Sequence, residues 1–128
     1  MNYELYLPYP PTVNSYYVQT RNGRFISGKG KAFRESVAQA IREQLPDVKL
    51  DASVLVEVVL YAPDARKRDI DNCTKALLDA LTKAGLWTDD ELVDQLFLYR
   101  GALARPSGSC FVRITDAGPR IPIGMTDF

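Results

Sequence analysis

Asp69 and Asp71 stand two residues apart behind a basic run, Arg66-Lys67-Arg68, and Lys75 follows Asp71 by four positions. On a backbone leaving an extended segment, that spacing lets both carboxylates point to one side. Held so close, they repel each other. A hard divalent cation such as Mg²⁺ resolves the repulsion, because it takes oxygen ligands and is commonly held by one or two carboxylates while keeping waters and substrate phosphate oxygens. Thr88-Asp89-Asp90-Glu91, one helix further on, offers Asp90 as a third oxygen donor. Cations beside metal-binding acids are what a phosphodiester substrate needs. The chain has no histidine, so water activation falls to metal, carboxylate or lysine.

Each residue also has a plainer reading. Asp71 could cap a helix, with Lys75 as its i,i+4 ion pair worth a few tenths of a kcal/mol. Asp89-Asp90-Glu91 could be a polar turn. Neither reading accounts for the three cations immediately before the acids.

Residues 3–7 read as a first strand, stopped by Pro8-Tyr9-Pro10-Pro11 and followed by a stiff extended loop to Asn14. Two short strands, about 16–20 and 24–27, flank Asn22-Gly23, a strong hairpin signal with Arg21 and Arg24 at its tip. A helix from Ser27 or Gly28 to about Leu45 follows, with Phe33, Val37, Ala40, Ile41 and Gln44 on one face. The apolar, β-branched run Val54–Tyr61 marks a central strand. A basic loop leads to a helix expected over 71–84, with Gly85 at its left-handed cap. Two strands, about 92–100 and 108–115, complete the order.

That order predicts a single small α+β domain over residues 1–116, a mixed or antiparallel sheet with two helices packed on it. Residues 117–128, with Gly118, Pro119, Pro122 and Gly124, lack periodicity and read as a flexible or partner-docked tail.

Composition excludes several classes. With 128 residues, 46% hydrophobic and 25% charged, the chain suits one globular domain and neither disorder nor a fibrous repeat. No run approaches the ~20 apolar residues of a membrane span, and the N-terminus lacks signal-peptide character, so a cytoplasmic location is expected. Cys73 and Cys110 form no CxxC pair and read as buried thiols. Sixteen cations balance sixteen acids, but the charge is unevenly placed. Arg21, Arg24, Lys29, Lys31 and Arg34 fall in a stretch without an acid, and such stripes attract phosphate. Lys29, Lys31 and Arg34 oppose the helix dipole at its N-terminal end, which asks for an anionic partner, although a solvated helix face is the plainer reading.

The string from Lys67 to Leu81, with Arg68-Asp69-Ile70-Asp71-Asn72 and Lys75, continuing through Gly85-Leu86-Trp87-Thr88-Asp89-Asp90, closely resembles the RusA family of Holliday-junction resolvases. Pro8-Tyr9-Pro10-Pro11-Thr12-Val13-Asn14 is similar to that family's opening motif, and the likeness runs from about Tyr3 to Thr115. The resemblance implies a homodimeric, Mg²⁺-dependent endodeoxyribonuclease, with Mn²⁺ substituting, that resolves four-way DNA junctions by paired symmetric nicks in recombination and repair at the nucleoid. It places catalysis and metal binding on Asp69, Asp71 and Asp90, with Lys75 catalytic, gives Arg68 and Asn72 supporting roles at phosphate or in holding the acids, and brings Asn14 to the DNA; the basic run itself marks Arg66 and Lys67 as DNA contacts. The other readings are a non-catalytic junction-binding module and a metal-dependent nuclease acting on RNA or flaps.

Geometry raises one question about Asp90. Fourteen helical residues carry the chain about 21 Å from Asp71, and the six from Gly85 to Asp90 span at most about 20 Å back. Either the helix is shorter than its pattern suggests, or Asp90 acts in the partner subunit's site.

Overall fold

The computed structural model describes residues 1–127; Phe128, the end of the expected tail, lies outside the described residues. Strands β1 (Asn2–Leu7), β4 (Val54–Tyr61), β5 (Val93–Arg100) and β6 (Ser109–Asp116) form one sheet in the order β1-β6-β4-β5. β6 runs antiparallel to both β1 and β4, whereas β4 and β5 are parallel. A parallel pair needs a crossover, and helix α3 (Thr74–Lys83) supplies it. The sheet is therefore mixed.

The hairpin pairs β2 (Tyr17–Thr20) with β3 (Gly23–Ile26) as a separate two-stranded ribbon. Gly23, at φ 121°, takes the left-handed backbone that the Asn-Gly pair predicts. Helix α2 (Gly28–Gln44) starts on Ser27, whose hydroxyl accepts the Gly30 N–H, and buries Phe33, Val37, Ala40 and Ile41. Gln44 is exposed, unlike the other residues assigned to that face, because its amide has a different task. It accepts from the Tyr6 N–H at 2.7 Å and donates to the Tyr6 carbonyl at 2.8 Å, satisfying backbone on β1 that no neighbouring strand reaches.

The extended loop expected before Asn14 contains a single helical turn, α1 (Val13–Tyr16), capped by Thr12. It is short because its purpose is local. Tyr16 is fully buried, and its carbonyl sits so close to Gly30 that any Cβ there would collide with it and with Ile26. α1, the hairpin and α2 are thus packed as one unit.

One face of the sheet carries the core: Leu5, Leu7, Val54, Val56, Val58, Leu60, Cys110, Val112 and Ile114 meet α2 and α3. The other face is uncovered. There Tyr6, Phe111, Val59 and Tyr99 form a row across all four strands, beside a second row in which Arg113 lies 3.5 Å from Glu4 and 3.6 Å from Glu57. The apolar run Val54–Tyr61, expected as a central strand, is one, with β6 and β5 on either side. In the structure its burial alternates, and only the even-numbered positions are fully enclosed.

A short loop-bound connection finishes the chain. The Ala117 N–H donates to Ser53, the Gly118 N–H to the Gln95 side chain, and Arg120 clasps Asp94 through two 3.0 Å hydrogen bonds. The start of the expected tail is therefore held against β5 by its own chain. Among the described residues, no helix is long and apolar enough to cross a membrane.

Candidate active site

The acidic motif lies between β4 and α3. Helix α3 starts later than the apolar pattern predicts, at Thr74, because Asp69–Cys73 is spent on consecutive tight turns: the Asn72 N–H bonds to the Asp69 carbonyl and the Thr74 N–H to the Asp71 carbonyl. The Asn72 carbonyl in turn accepts the Val13 N–H at 3.0 Å, tying the loop to α1. Asp71 therefore precedes the helix without capping it; Cys73 occupies the cap position and has no side-chain cap bond.

Asp69, Asp71, Asn72 and Lys75 are all exposed. Among the described residues, neither Asp69 nor Asp71 accepts a side-chain hydrogen bond, and Lys75 forms no ion pair with Asp71 or with any other acid. Cap and i,i+4 pair, the two plainer readings, are both unmade. Two carboxylates on a turn with no protein donor are available to an external cation or to water.

The neighbouring cations are mostly committed. Asp64 accepts from the Arg66 backbone N–H and guanidinium, and Arg68 reaches it at 2.8 Å. These hydrogen bonds outweigh the small burial penalty and hold the Asp64 carboxyl well below the usual carboxylate range. Arg68 also donates to the Asp64 and Arg66 carbonyls, and the Arg100 guanidinium donates to the Arg68 carbonyl at 2.8 Å. Arg68 is thus a brace for the loop, while Arg66 and Lys67 keep exposed side chains. Asp64 and Arg100 escaped the sequence reading. For Asp64 the signal existed, an acid two and four residues ahead of two arginines; for Arg100 there was none, since it arrives from β5 across 32 positions.

Two hollows flank the acids. On one side Asp71, Asn72 and Lys75 share a depression with Val13 and Arg24, adjoining another lined by Asn14, Tyr17 and Gln19. Arg24 stacks over the Tyr17 ring at 4.0 Å. The structure therefore gathers Arg24 and Asn14 beside the motif. On the other side Asp69 walls a cavity with Tyr9, Arg66, Arg68 and Arg100. Arg21, Lys29 and Lys31 are exposed further out, and Lys31 shares a groove between α2 and α3 with Lys83.

Arg34 stands apart from this set. Its guanidinium donates to the Tyr16 hydroxyl at 2.7 Å and to Asp79 at 2.8 Å, and the Tyr16 hydroxyl itself donates to Asp79. Burial disfavours the ionised Asp79, but these partners overcome it and hold its carboxyl below the usual range. Arg34 is occupied in holding α1, α2 and α3 together.

Helix α3 has 10 residues, about 15 Å, and ends in a reversal in which Gly85 N–H bonds to Thr82 and Leu86 N–H to Leu81. The chain then doubles back, and Asp90 opens a 3-10 turn (Asp90–Leu92) packed along α3. Partial burial and the neighbouring Asp89 raise the Asp90 carboxyl above its usual range, and Lys75 opposes that rise, which places Asp90 on the Lys75 side of α3. Even so, among the described residues no three carboxylates, cysteines or histidines come close enough to hold one metal. The shorter helix brings Asp90 to Lys75, but not into a closed triad.

Residues 8–124 match the family model described as "Endodeoxyribonuclease RusA". The chain belongs to the RusA family. It is 44% identical over 116 residues, 91% of this chain and 96% of the relative, to the crossover junction endodeoxyribonuclease RusA of Escherichia coli O139:H28 (strain E24377A / ETEC). The corresponding protein of Enterobacteria phage HK97 is 38% identical over 114 residues, 89% of this chain and 94% of the relative. That of Escherichia coli (strain K12) is 43% identical over 91 residues, 71% and 76% of the two chains. RusA-family membership makes the chain an endodeoxyribonuclease.

Proposed function

We propose that the chain resolves four-way DNA junctions as a homodimer, hydrolysing one phosphodiester per subunit in paired symmetric nicks with the help of Mg²⁺ or Mn²⁺. The observation that carries this reading is the pair Asp69 and Asp71: exposed, free of protein donors and adjacent to an uncommitted lysine, in a chain whose nearby arginines are largely neutralised. The donor set fits a hard cation, since it consists of carboxylate oxygens without histidine or thiolate. Asp69 and Asp71 would hold it, and Asp90 joins them only through a rearrangement or across a subunit boundary. Bound there, such a cation lowers the pKa of water and stabilises the charge of an in-line displacement.

The chain's own residues supply the rest. The Lys75 ammonium neutralises charge developing on the phosphoryl oxygens. Asn72 fixes the loop through its carbonyl, and Arg68 braces it from the other side. Arg24 and Asn14 extend the phosphate track toward Arg21, Lys29 and Lys31, with Arg66 and Lys67 flanking the acids. Two-fold symmetric cutting requires two such sites, and the uncovered sheet face, where Tyr6, Phe97 and Tyr99 are 65%, 45% and 47% exposed, offers apolar area for subunit contact. A DNA substrate sets the working location in the cytoplasm at the nucleoid.

The test is incubation of the purified protein with a synthetic four-way junction, a flap, an RNA hairpin and a plain duplex, with and without Mg²⁺. Symmetric, metal-dependent nicks confined to the junction are expected. Binding without nicks at any metal concentration would leave only a junction-binding module, and preferred cleavage of flap or RNA would assign another nuclease activity.

A further inference from the structure

The cavity beside Asp69 measures about 180 Å³. Ligand sites for drug-sized molecules run from roughly 300 Å³ upward, so this one has room for a single flat ring system. Its position follows from the parallel pairing of β4 and β5, which makes both strands end on the same side. Leu60 and Ala62 line it at the end of β4, Gly101 and Leu103 after β5, and Tyr9 closes it from the proline-rich loop. The Gly101 N–H to Leu60 and Ala104 N–H to Ala62 bonds keep these two segments together. Leu103 stands at the rim, 47% exposed.

Apolar walls, one aromatic ring and guanidinium groups at the mouth make a combination with a specific chemical match. Aromatic rings receive unstacked bases, and Arg66, paired with Asp64 yet largely exposed, stands beside the opening. Asp69 belongs at once to this cavity and to the acid pair, while Asp71 belongs to the hollow on the opposite side. A strand crossing the motif with its phosphate between the two acids therefore has a neighbouring base beside the cavity mouth.

We propose that the cavity receives one unstacked nucleobase of the strand being cut, with Tyr9 as its stacking platform and Leu103 as its rim, and that this contact sets base preference next to the nick. The inference rests on the endonuclease reading above. It makes Tyr9 a residue that binds substrate, a role additional to the acids and Lys75.

A cycle between protein and DNA tests it. Junctions carrying a single abasic nucleotide at each position around the branch are compared with the intact junction, using the wild type, Tyr9→Leu, Tyr9→Phe and Leu103→Ala. Stacking of a base on an aromatic side chain is worth about 1–3 kcal/mol, or roughly 5- to 150-fold. Tyr9→Leu should therefore lose about that factor in kcat/KM on intact DNA and nothing further on the junction abasic at the pocket position. Tyr9→Phe should retain the wild-type value, and Leu103→Ala should narrow the spread in rate among the four bases at that position. Equal losses on intact and abasic junctions at every position would overturn the proposal, as would a spread among bases unchanged in Tyr9→Leu and Leu103→Ala. The same cycle is read in binding affinity without metal. A wild type that binds and shows the coupling but does not cut refutes the catalytic reading alone, and one that cuts without coupling refutes the pocket alone.

Discussion

Replacing Asp79 by Asn should destabilise the protein strongly without touching the DNA surface. The Asp79 carboxylate takes hydrogen bonds from the fully buried Tyr16 hydroxyl and from Arg34, and the Asp79 and Arg34 side chains are only 20% and 28% exposed. A hydrogen bond to a charged group is worth about 1.5–3 kcal/mol, and an unpaired buried polar group costs about 1–3 kcal/mol. Both bonds converge on the one oxygen Oδ2, where a neutral amide oxygen accepts more weakly; each falls from the charged to the neutral range, so the net loss is about 2–3 kcal/mol. For a domain of this size each kcal/mol moves Tm by roughly 3–5 °C, giving a drop of roughly 6–15 °C. Urea unfolding followed by circular dichroism measures it, and a cycle with Arg34→Gln should return a coupling of about 1 kcal/mol or more. The pH dependence adds a sign. The Asp79 carboxyl is depressed in the fold, so its contribution is complete above the unfolded value near 4 and is lost as pH falls through the lower folded value. The gap between wild type and Asp79→Asn should therefore narrow below about pH 4. A gap under about 0.5 kcal/mol at pH 7, or one that persists undiminished at pH 2, would refute this account of the network.

Asp71→Asn should lower junction cleavage by more than about 100-fold while binding is kept, since even outer partners of metal ligands cost 10–100-fold; wild-type nicking by the variant would remove Asp71 from the site. Arg24→Ala should reduce the slope of log affinity against log salt by about 1, as expected for one lost phosphate contact, whereas Arg34→Gln should leave the slope alone; the reverse pattern would exchange their roles. Burial pushes the Cys73 thiol up to about 11 and the Cys110 thiol up to about 12, so at pH 8 both should resist a thiol reagent until urea unfolds the chain. Rapid native labelling would contradict the burial of both. Gly30→Ala should cost about 1–3 kcal/mol in urea unfolding despite its better helix propensity, because the added methyl meets the Tyr16 carbonyl and Ile26.

Local chemistry made much of this architecture readable. Asn22-Gly23 set the hairpin, Pro46 and Gly85 ended the two long helices within a residue or two, and the β-branched run of Val54–Tyr61 marked the central strand. What the sequence hid depends on contacts between distant segments. The single turn of α1 is too short to show a period and exists because Tyr16 is anchored by Asp79, 63 positions away. Arg34 looks like its basic neighbours in sequence, and only the same carboxylate distinguishes it from Lys31. The half-open sheet could not be told from a buried one, since Val59 and Leu55 are apolar whichever face they occupy. At the site, the family was legible in the Asp69–Lys75 stretch. The late start of α3 was not, because it comes from the consecutive turns over Asp69–Cys73, and neither were the brace from Arg100 and the cavity under Tyr9, which require β5 to lie beside β4 in parallel.

Gln44 carries a consequence for how the protein behaves in concentrated solution. β1 is an outer strand of the sheet, and a bare outer strand is a template on which another chain can pair and begin aggregation. By occupying both the donor and the acceptor of Tyr6, next to the last residue of that strand, a single side-chain amide obliges any incoming strand to break two bonds there before it gains two. Gln44→Ala would leave the fold's interior untouched and still yield a protein with a new tendency to grow by edge-to-edge addition, a safeguard no inspection of the active surface would reveal.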